Sequence, residues 1–586
     1  MGMIIKGVKN LFIYKEPDKQ PFELLEKDEE GVNQQTPIPD IEEISNQYNK
    51  DNKSGGDQKK YKRTPVKVGE IKTTADSQEK GVLSDQLLVN LEYMKQRFNL
   101  PLNQDVVIRE FNMGNSGNAF LMFIDGMIDN SIINQFVIPQ LSDTKNFTNY
   151  KDGNFVDYII RNVISVNQVT KSNNLDDITV DVLRGMTALF VDGEKECILI
   201  GSIGFEKRSI DKPLTESIIQ GSQEAFTEDL KTNLSLLRRS VKNENFIIEM
   251  TQVSKTNRAS CAIAYLKGIA NPRLLDEVKR RVNSIDTDLI LGGGMLEQLI
   301  EDSTFMLFPQ IMQTERPDRA ASFLLEGKVL LITEGTPFVM AVPITLFHLL
   351  HSSEDSLLRW EYGTFLRLIR LIGVLTALFL PGLYIALTQY HHEMIPTQLL
   401  LSIVKSRLSV PFPVFIEILM LEISFELIRE GGIRVPGVIG NTLGIVGALI
   451  LGQAAVAAGF VSPALIIIVA VTGISSFVIP TYSLSLSIRI LRFIVLIFGA
   501  VAGFYGVSLA IIGLALVATN MKSFGVPFLS PIAPKAVTGH DVIIRYPTWE
   551  QEKRPDATNA LNQSRQGPQA RGWKKSKGGD NNDKGR

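Results

Sequence analysis

Long apolar runs are confined to the C-terminal half of the chain. Residues 435–488 contain no charged side chain at all. Four runs have the length and composition of membrane-spanning helices: Phe365–Tyr390, Val438–Phe460, Pro463–Ile479 and Phe493–Asn520. The pattern therefore predicts a polytopic α-helical membrane domain over residues 361–534.

Three pieces of this region leave the number of crossings open. Leu399–Leu408 is amphipathic and fits a helix lying in the membrane interface. Val414–Ile428 is apolar but carries three glutamates. The run that contains Gly503 and Gly506 is long enough for one tilted span or for two short ones. Four crossings are clear from the sequence, and more are possible.

Basic residues set the expected orientation. Arg359, Arg367 and Arg370 lie at the start of the first run, which predicts that this end faces the cytoplasm. The basic tail Arg571–Arg586 favours a cytoplasmic C-terminus as well. We therefore expect an even number of crossings and a cytoplasmic N-terminal half.

The preceding half alternates strand and helix patterns, which predicts an α+β or α/β fold in two subdomains, residues 83–242 and 243–360. In the first subdomain we predict strands, a helix, a hairpin at Asp-Gly and a long helix interrupted at Gly221: Val106–Phe111, Ala119–Ile124, Ser131–Leu141, Thr187–Gly201 and Glu216–Arg239. In the second we predict two strands, a capped helix and a hairpin: Asn243–Thr251, Cys261–Leu266, Pro272–Val282 and Val329–Val342.

Composition separates the two ends from these domains. The 586 residues carry 61 Lys+Arg and 63 Asp+Glu, so the net charge of −2 gives no reason to expect nucleic-acid binding. Residues 1–82 are mostly polar and poor in aromatic residues, which predicts a disordered arm. Residues 535–586 are expected to form a polar, basic C-terminal tail.

Motifs for catalysis or metal binding are weak in this sequence. Cys197 and Cys261 are far apart and lie in no CxxC motif. The run Gly292–Gly294 lacks the Lys-Ser/Thr of a phosphate-binding loop, and His391-His392 lacks further ligands. We therefore expect no enzyme activity, catalytic residue, cofactor or metal.

An acidic series in the membrane region is the strongest candidate for chemistry. Glu422, Glu426 and Glu430 recur every four residues and follow Glu417, so they share one helix face. Carboxylates at bilayer depth are costly unless they face water or a partner. One hypothesis is an acidic vestibule at a pore mouth that attracts cations. The alternative is an interfacial helix with salt bridges, for which Arg429 and Arg434 are near enough.

A second candidate is the small-residue helix that follows. Gly444, Gly447 and Gly452 allow close helix packing. One face, polar at its ends and apolar in the middle, would suit a narrow pore with a hydrophobic gate: Thr442, Val446, Leu449 and Gln453. The alternative is ordinary bundle packing. Arg489 and Arg492 precede the last run and are expected to extend to the cytoplasmic interface.

Several long blocks resemble the A-subunit family of spore germinant receptors of the GerA type. The resemblance covers residues 83–534 and is densest in RSIDKPLTESIIQGSQEAFTEDLKTNLSLLRR at 208–239. It continues through EGKVLLITEGTPFVMAVP at 326–343 and SVPFPVFIEILMLEISFELIREGGIRVP at 409–436. It ends with SFGVPFLSPIAP at 523–534, whereas Lys212 and Gln220 depart from the family pattern.

This resemblance implies a multi-pass protein of the spore inner membrane. It implies assembly with a transporter-like B-subunit that binds the germinant, and with a C-subunit lipoprotein. It further implies a homo-oligomer around a central pore that releases cations when nutrient binds. A non-conducting scaffold, a paralogous spore membrane complex and a secondary transporter remain alternatives at this point.

Overall fold

The structure is a computed structural model that describes residues 81–567, except 115–116, 149, 151–152, 205–211, 435–451 and 536–540. The predicted disordered arm therefore lies outside the described residues apart from its last two positions. Residues 568–586, the most basic part of the predicted tail, lie outside them as well.

The first subdomain is built on a five-stranded antiparallel sheet with the order β1-β2-β4-β5-β3. The strands are β1 Val106–Asn112, β2 Asn118–Ile124, β3 Val169–Ser172, β4 Thr187–Val191 and β5 Cys197–Ile200. The predicted strands and the predicted hairpin are present. Gly193 at that hairpin has φ +81°, which is why the Asp-Gly pair turns the chain there.

Helices cover both faces of this sheet, so its central strands are buried apart from Asn118 at the start of β2. On one face lie α1 Leu87–Arg97 and α2 Leu175–Leu183. The predicted helix Ser131–Leu141 lies on the other face but is divided by a π-helical turn. The short helical segments of that face are Asn130–Ile132, Ile133–Val137, Ile138–Ser142, Thr144–Phe147, Phe155–Tyr158 and Ile159–Val163.

The predicted helix Glu216–Arg239 is wrong in its first half. The structure has only α3, Leu230–Ser240, whose cap is the Asp229 side chain. The Glu315 carboxylate accepts the backbone N–H groups of Leu214 and Thr215 at 2.8 and 3.2 Å. These tertiary contacts hold the segment before α3 in an irregular path, whatever helical periodicity the sequence shows.

The second subdomain repeats the architecture of the first. Its sheet has the order β6-β7-β9-β10-β8. This is the order of the first sheet with five added to each strand number. Its strands are β6 Phe246–Gln252, β7 Ser260–Leu266, β8 Met312–Thr314, β9 Val329–Thr333 and β10 Val339–Val342. Its helices are α4 Pro272–Asn283 and α5 Gly293–Ile300 on one face and α6 Pro317–Leu325 on the other.

Local sequence follows this repeat. LRGMTALFVDG at 183–193 corresponds to LEGKVLLITEG at 325–335, and each segment joins a helix end to a hairpin. Gly193 and Gly335 both have φ +81° at the hairpin turn. The two subdomains, residues 83–360, are together called the soluble half, and they are two copies of one supersecondary unit.

The helical domain follows two short helices, Leu346–Leu350 and Glu354–Leu357. Its main helices are α7 Trp360–Ile385, α8 Thr397–Arg407, α9 Val414–Arg434, α10 Pro463–Phe477 and α11 Tyr482–Asn520. Helix α7 continues as a π-helical turn Ala386–Tyr390, and residues 452–457 are helical before α10. Among the described helices, Trp360–Tyr390 and Tyr482–Asn520 are long and apolar enough to cross a membrane, and α10 is a shorter apolar helix.

Helix α11 folds back on itself. Before it, the Thr481 hydroxyl donates to the Leu349 carbonyl at 2.6 Å; after it, the Ser523 hydroxyl donates to the Gln310 carbonyl at 2.7 Å. Both acceptors belong to the soluble half. A straight helix of its 39 residues would instead separate its ends by about 58 Å.

The reversal lies at Ala502 and Gly503, where the backbone is not helical. Gly503 has φ +58°, and a Cβ there would lie 2.8 Å from the Tyr390 ring, so both backbone and space require glycine. The Tyr390 hydroxyl donates to the carbonyls of Ala500 and Val501 at 2.6 and 3.0 Å. The long apolar run is therefore two helical arms, residues 482–501 and 504–520.

Contacts define a near end of the helical domain, beside the soluble half, and a far end. Helix α9 starts at the far end, where Val414 packs with Tyr384, and reaches the near end, where Arg429 meets Ser476. Gly459 is again at the far end, against the Ser409 carbonyl. The described residues on either side of the gap 435–451 thus lie at opposite ends.

The chain re-enters the soluble half directly after α11. Strands β11 Lys522–Ser523 and β12 Val526–Pro527 form a small hairpin, and Phe524 and Val526 are buried in the core of the second sheet. The C-terminal strap, residues 541–567, then runs along the second subdomain and includes the 3₁₀ turns Thr548–Glu550 and Asp556–Thr558.

The C-terminal strap ties the soluble half to the start of α7. The Arg367 guanidinium lies 2.6 Å from the Asp541 carboxylate, and the Arg545 guanidinium donates to the Ser356 carbonyl at 2.7 Å. Farther along, the Thr558 hydroxyl donates to the Glu326 carbonyl at 2.9 Å. Both termini of the helical domain are therefore anchored on the same side.

Candidate functional site

The predicted pore-lining face is only partly described. Gln453 is exposed, and Gly452 is buried against α10, with the Ile466 side chain 3.8 Å from the position of a Cβ. The remaining predicted pore and packing residues lie outside the described residues: Thr442, Val446, Leu449, Gly444 and Gly447.

The first buried glutamate, Glu417, lies at the far end. Its carboxylate is fully buried and accepts from the Ser462 backbone N–H at 3.2 Å and from the Arg407 guanidinium at 3.3 Å. Ser462 is the cap of α10, so the negative charge also sits at the positive end of that helix dipole. Pro413 directly precedes α9 and Pro463 is the first residue of α10, so both helices begin close to these groups.

The next two glutamates form a separate cluster nearer the soluble half. The Arg492 guanidinium lies 2.9 Å from the Glu422 carboxylate and 3.0 Å from the Glu426 carboxylate. The Arg489 guanidinium lies 2.8 Å from Glu426. Arg492 and Glu422 are only 2% and 1% exposed, so this ion pair is shielded from solvent. The cluster fixes α9 against α11.

Arg429 joins the same cluster to α10. Its guanidinium donates to the Ser476 hydroxyl at 2.7 Å and lies 3.7 Å from Glu426. It also stacks over the rings of Phe425 and Phe477, at 4.9 and 4.6 Å from their centroids. Three helices therefore meet at one group of charges.

The acidic series is thus divided between the two ends of α9. Arg429, expected as a partner from its spacing, is one, whereas the Arg434 side chain lies outside the described residues. Arg489 and Arg492, expected at the interface, instead point to the glutamates of another helix. Spacing along one helix could not reveal partners that lie more than 60 residues away in sequence.

Glu430 differs from the other three glutamates. Its side chain is exposed, and it has an interaction partner of its own. Of the four predicted vestibule residues, Glu417 and Glu422 are fully buried and Glu426 is a quarter exposed. The arrangement can hold helices together, and it can also present carboxylates to an ion path if the arginines withdraw.

A second buried charge cluster lies in the soluble half, under the C-terminal strap. The Lys328 ammonium is fully buried, 3.2 Å from the Glu326 carboxylate and 3.9 Å from the centroid of the Phe323 ring. Burial lowers the pKa of Lys328 to about 8, although the Glu326 charge opposes the shift. Burial, together with the Lys328 charge, lowers the pKa of His348 to about 4. Sequence reasoning missed this cluster, because a lysine directly before a strand reads as a surface residue.

Comparison with known proteins identifies a family that matches most of this chain. The family described as "Bacillus/Clostridium GerA spore germination protein" matches residues 92–557. Spore germination protein KA of Bacillus subtilis is 39% identical over 84% of this chain and 90% of its own length. Spore germination protein GerLA of Bacillus cereus is 37% identical over 79% of this chain and 94% of its own length.

Two further matches are a membrane protein described as uncharacterized and a solved structure. An uncharacterized membrane protein, YfkQ, of Bacillus subtilis is 37% identical over 83% of this chain and 93% of its own length. The crystal structure of the N-terminal domain of the A subunit of the Bacillus megaterium spore germinant receptor GerK3 is 31% identical. The match covers 45% of this chain and 96% of the solved chain, with a TM-score of 0.36.

Proposed function

Because this chain belongs to the GerA family of spore germination proteins, we propose that it is the A-subunit of a nutrient germinant receptor in the spore inner membrane. Its copies assemble into a ligand-gated cation channel whose opening triggers germination. The transporter-like B-subunit binds the nutrient, and the C-subunit lipoprotein completes the receptor. The soluble half of this chain lies in the cytoplasm.

The contacts of the helical domain support its placement across a membrane. Described helices pass between the near and far ends in α7, α9, α10 and both arms of α11, and the soluble half is contacted before α7 and after α11. These are five passes, and the described residues on either side of 435–451 lie at opposite ends. A chain that leaves and re-enters on the same side makes an even number of crossings in total. An even number is the parity expected if the N-terminal half and the basic tail face the same side of the membrane.

The observation that carries the conduction proposal is the placement of charge inside this bundle. Glu417 and Glu422 are fully buried among apolar helices, where carboxylates are costly and therefore usually serve transport or a partner. In the described state each is held by an arginine. We assign this state to the closed channel.

In the open channel, Glu422 and Glu426 line a cation vestibule with Glu417 and Glu430. The face Thr442, Val446, Leu449 and Gln453 forms the narrow part of the pore, with Val446 and Leu449 as the hydrophobic gate. Gly444, Gly447 and Gly452 let neighbouring helices pack closely around it. Release of the ion pairs by nutrient binding then couples the vestibule to the gate.

The test replaces Glu422 and Glu426 together by glutamine in the complete receptor. Loss of both charges is expected to cut cation flux through the open receptor roughly tenfold, because the vestibule no longer concentrates cations. It also leaves Arg492 without its partners, so a smaller flux should appear before nutrient is added. Glu393→Gln, an exposed residue at the far end, is the control and should leave release unchanged. Full release from a normally assembled double variant would contradict the vestibule.

A non-conducting scaffold is the second candidate, and the ion pairs favour it. Three arginines surround Glu422 and Glu426, and joining α9, α10 and α11 is by itself a sufficient role for such a cluster. In that case the double glutamine variant would weaken assembly with the B- and C-subunits rather than flux through an assembled complex. Measuring both quantities on the same preparation separates the two functions.

A further inference from the structure

An apolar loop of the second subdomain lies beside the helical domain. Its sequence contains four consecutive large apolar residues, Phe305–Phe308, outside any helix or strand. Phe305 is 57% exposed and Leu307 is 36% exposed, whereas Met306 and Phe308 pack against the core. Such a run is uncommon on a surface that meets only water. We call residues 303–308 the apolar loop.

The conformation of the apolar loop is fixed by buried contacts. The fully buried Gln310 side chain pairs with both backbone groups of Ser303, at 3.0 Å as acceptor and 2.5 Å as donor. The Phe308 ring lies 5.7 Å from the Phe528 ring beneath the loop. Phe305 and Leu307 are therefore held outward by a rigid base.

The apolar loop touches helix α11 near its start. The Ser487 hydroxyl donates to the Leu307 carbonyl, which sets the loop against the second turn of that helix. The adjoining face of α11 is an outward column of apolar side chains at helical spacing: Leu486, Ile490, Ile494 and Ile497, which are 38%, 50%, 39% and 51% exposed. The loop extends this apolar surface onto the soluble half.

We propose that Phe305 and Leu307 insert into the lipid bilayer at the boundary between headgroups and acyl chains, on the side of the soluble half. The proposal rests on the proposed function, since it requires that α11 crosses the bilayer. The occupant is lipid because the loop continues the face of one of the two described helices that are long and apolar enough to span. Phe and Leu at this depth act as an interfacial anchor.

The anchor has a mechanical consequence. The apolar loop is joined through Gln310 and Ser523 to the segment that leaves α11 and enters the core of the second sheet. Fixing the loop at the bilayer surface therefore fixes the height of the second subdomain above the membrane. Movements of this subdomain would then pivot on the loop and act on α11.

A depth measurement on the full chain tests the proposal. A nitroxide label is attached to Phe305→Cys, and its collision rates with oxygen and with a water-soluble nickel complex are compared in vesicles of phosphatidylglycerol and phosphatidylethanolamine. Cys197 and Cys261 are fully buried, and burial raises the pKa of Cys261 to about 12, so the native thiols stay unlabelled. Leu88→Cys and Ile490→Cys, 51% and 50% exposed, are the water and lipid references.

The expected result is that the label at 305 meets oxygen more often than nickel, with a ratio at least five times that of the label at 88 and close to that at 490. A ratio equal to that at 88 overturns the anchor. Shielding from both reagents overturns it too, because a protein partner then covers the loop. A label at 490 that is open to nickel refutes the membrane placement of α11, and with it the proposed function.

Discussion

At the scale of single residues, Arg492 is the side chain on which the closed arrangement depends most. Its guanidinium contacts two carboxylates at 2.9 and 3.0 Å and is 2% exposed. Removing one member of a buried ion pair costs about 3–5 kcal/mol, because the other charge remains buried without a partner. The cost falls on the state in which the pair is formed, which we take to be the closed channel.

Arg492→Gln should therefore open the channel without nutrient. If only half of that cost distinguishes closed from open, the open fraction rises by a factor of roughly ten to a hundred. The measurement is cation release from spores held without nutrient. The double variant Arg492→Gln with Glu422→Gln should restore much of the closed state. Equal, nutrient-dependent release from the wild type, the single variant and the double variant would exclude a role of the pair in gating.

The pair Glu326 and Lys328 offers a test of stability and pH. The folded-state pKa of Lys328, about 8, lies below its ordinary value of 10.5, so the unfolded chain binds the proton more tightly. Stability from this group therefore rises with pH between about 8 and 10.5 and is constant below 8. Glu326→Gln removes the opposing charge and should extend this rise to lower pH.

We expect Glu326→Gln to lower the free energy of unfolding at pH 7 by about 3 kcal/mol. Thermal unfolding of the full chain in detergent, followed by tryptophan fluorescence, measures this at several pH values. Adding Lys328→Met should recover most of the loss and flatten the pH dependence. An unfolding temperature unaffected by Glu326→Gln from pH 7 to 9 would show that the buried ammonium needs no counter-charge.

At the scale of elements, the sequence predicts the helices and strands whose formation depends on neighbouring residues, and it fails where distant residues decide the backbone conformation. Strands such as β2 and the hairpin at Asp192-Gly193 follow from local patterns, and the structure has them. Glu216–Arg239 failed as a helix in its first half because residues distant in sequence hold it: the Phe226 N–H donates to the Glu315 carbonyl, and Glu216 pairs with Arg319. The repeat of the two subdomains was overlooked, since it is carried by strand order and by two short segments with few identical residues.

The same distinction applies to the helical domain. Gly503 and Gly506 indicated that the last apolar run could divide, but only contacts of both ends with the soluble half show that it does. The acidic face of α9 was visible from a spacing of four residues. Its partners Arg489 and Arg492 were not, because they come from another helix.

The hairpin of α11 makes a sharp prediction at two glycines. A Cβ at Gly506 would overlap the Phe498 carbonyl oxygen, a backbone atom that cannot move aside without opening the hairpin. Gly513, in the same arm, has nothing within 4 Å of that position. Gly506→Ala should reduce the amount of assembled receptor in the membrane several-fold.

Gly513→Ala is the matched control and should leave assembly unchanged or slightly improved, by up to about 1 kcal/mol of helix propensity. Both amounts are read by immunoblot of membranes after size separation in mild detergent. Normal assembly of Gly506→Ala would mean that the two arms do not pack as closely as the structure has them.

At the scale of the whole molecule, the soluble and helical domains are one mechanical unit. The C-terminal strap joins the second subdomain to the start of α7, and the segment after α11 completes the core of the second sheet. The two charge clusters of α9 then connect that helix to α8 at the far end and to α10 and α11 nearer the soluble half. A movement of the soluble half therefore reaches the ion pairs through covalent and packed connections.

Cation flux through the reconstituted receptor tests the central claim, that this chain forms a gated conduit. Liposomes containing the B- and C-subunits with either this chain or its Val446→Ala or Leu449→Ala variant enclose a cation-sensitive dye. A panel of amino acids, sugars and nucleosides serves as nutrient. We predict that the wild-type receptor stays closed until an active nutrient is added and that both variants leak without one. Absence of flux from all three receptors, with and without nutrient, would contradict the account.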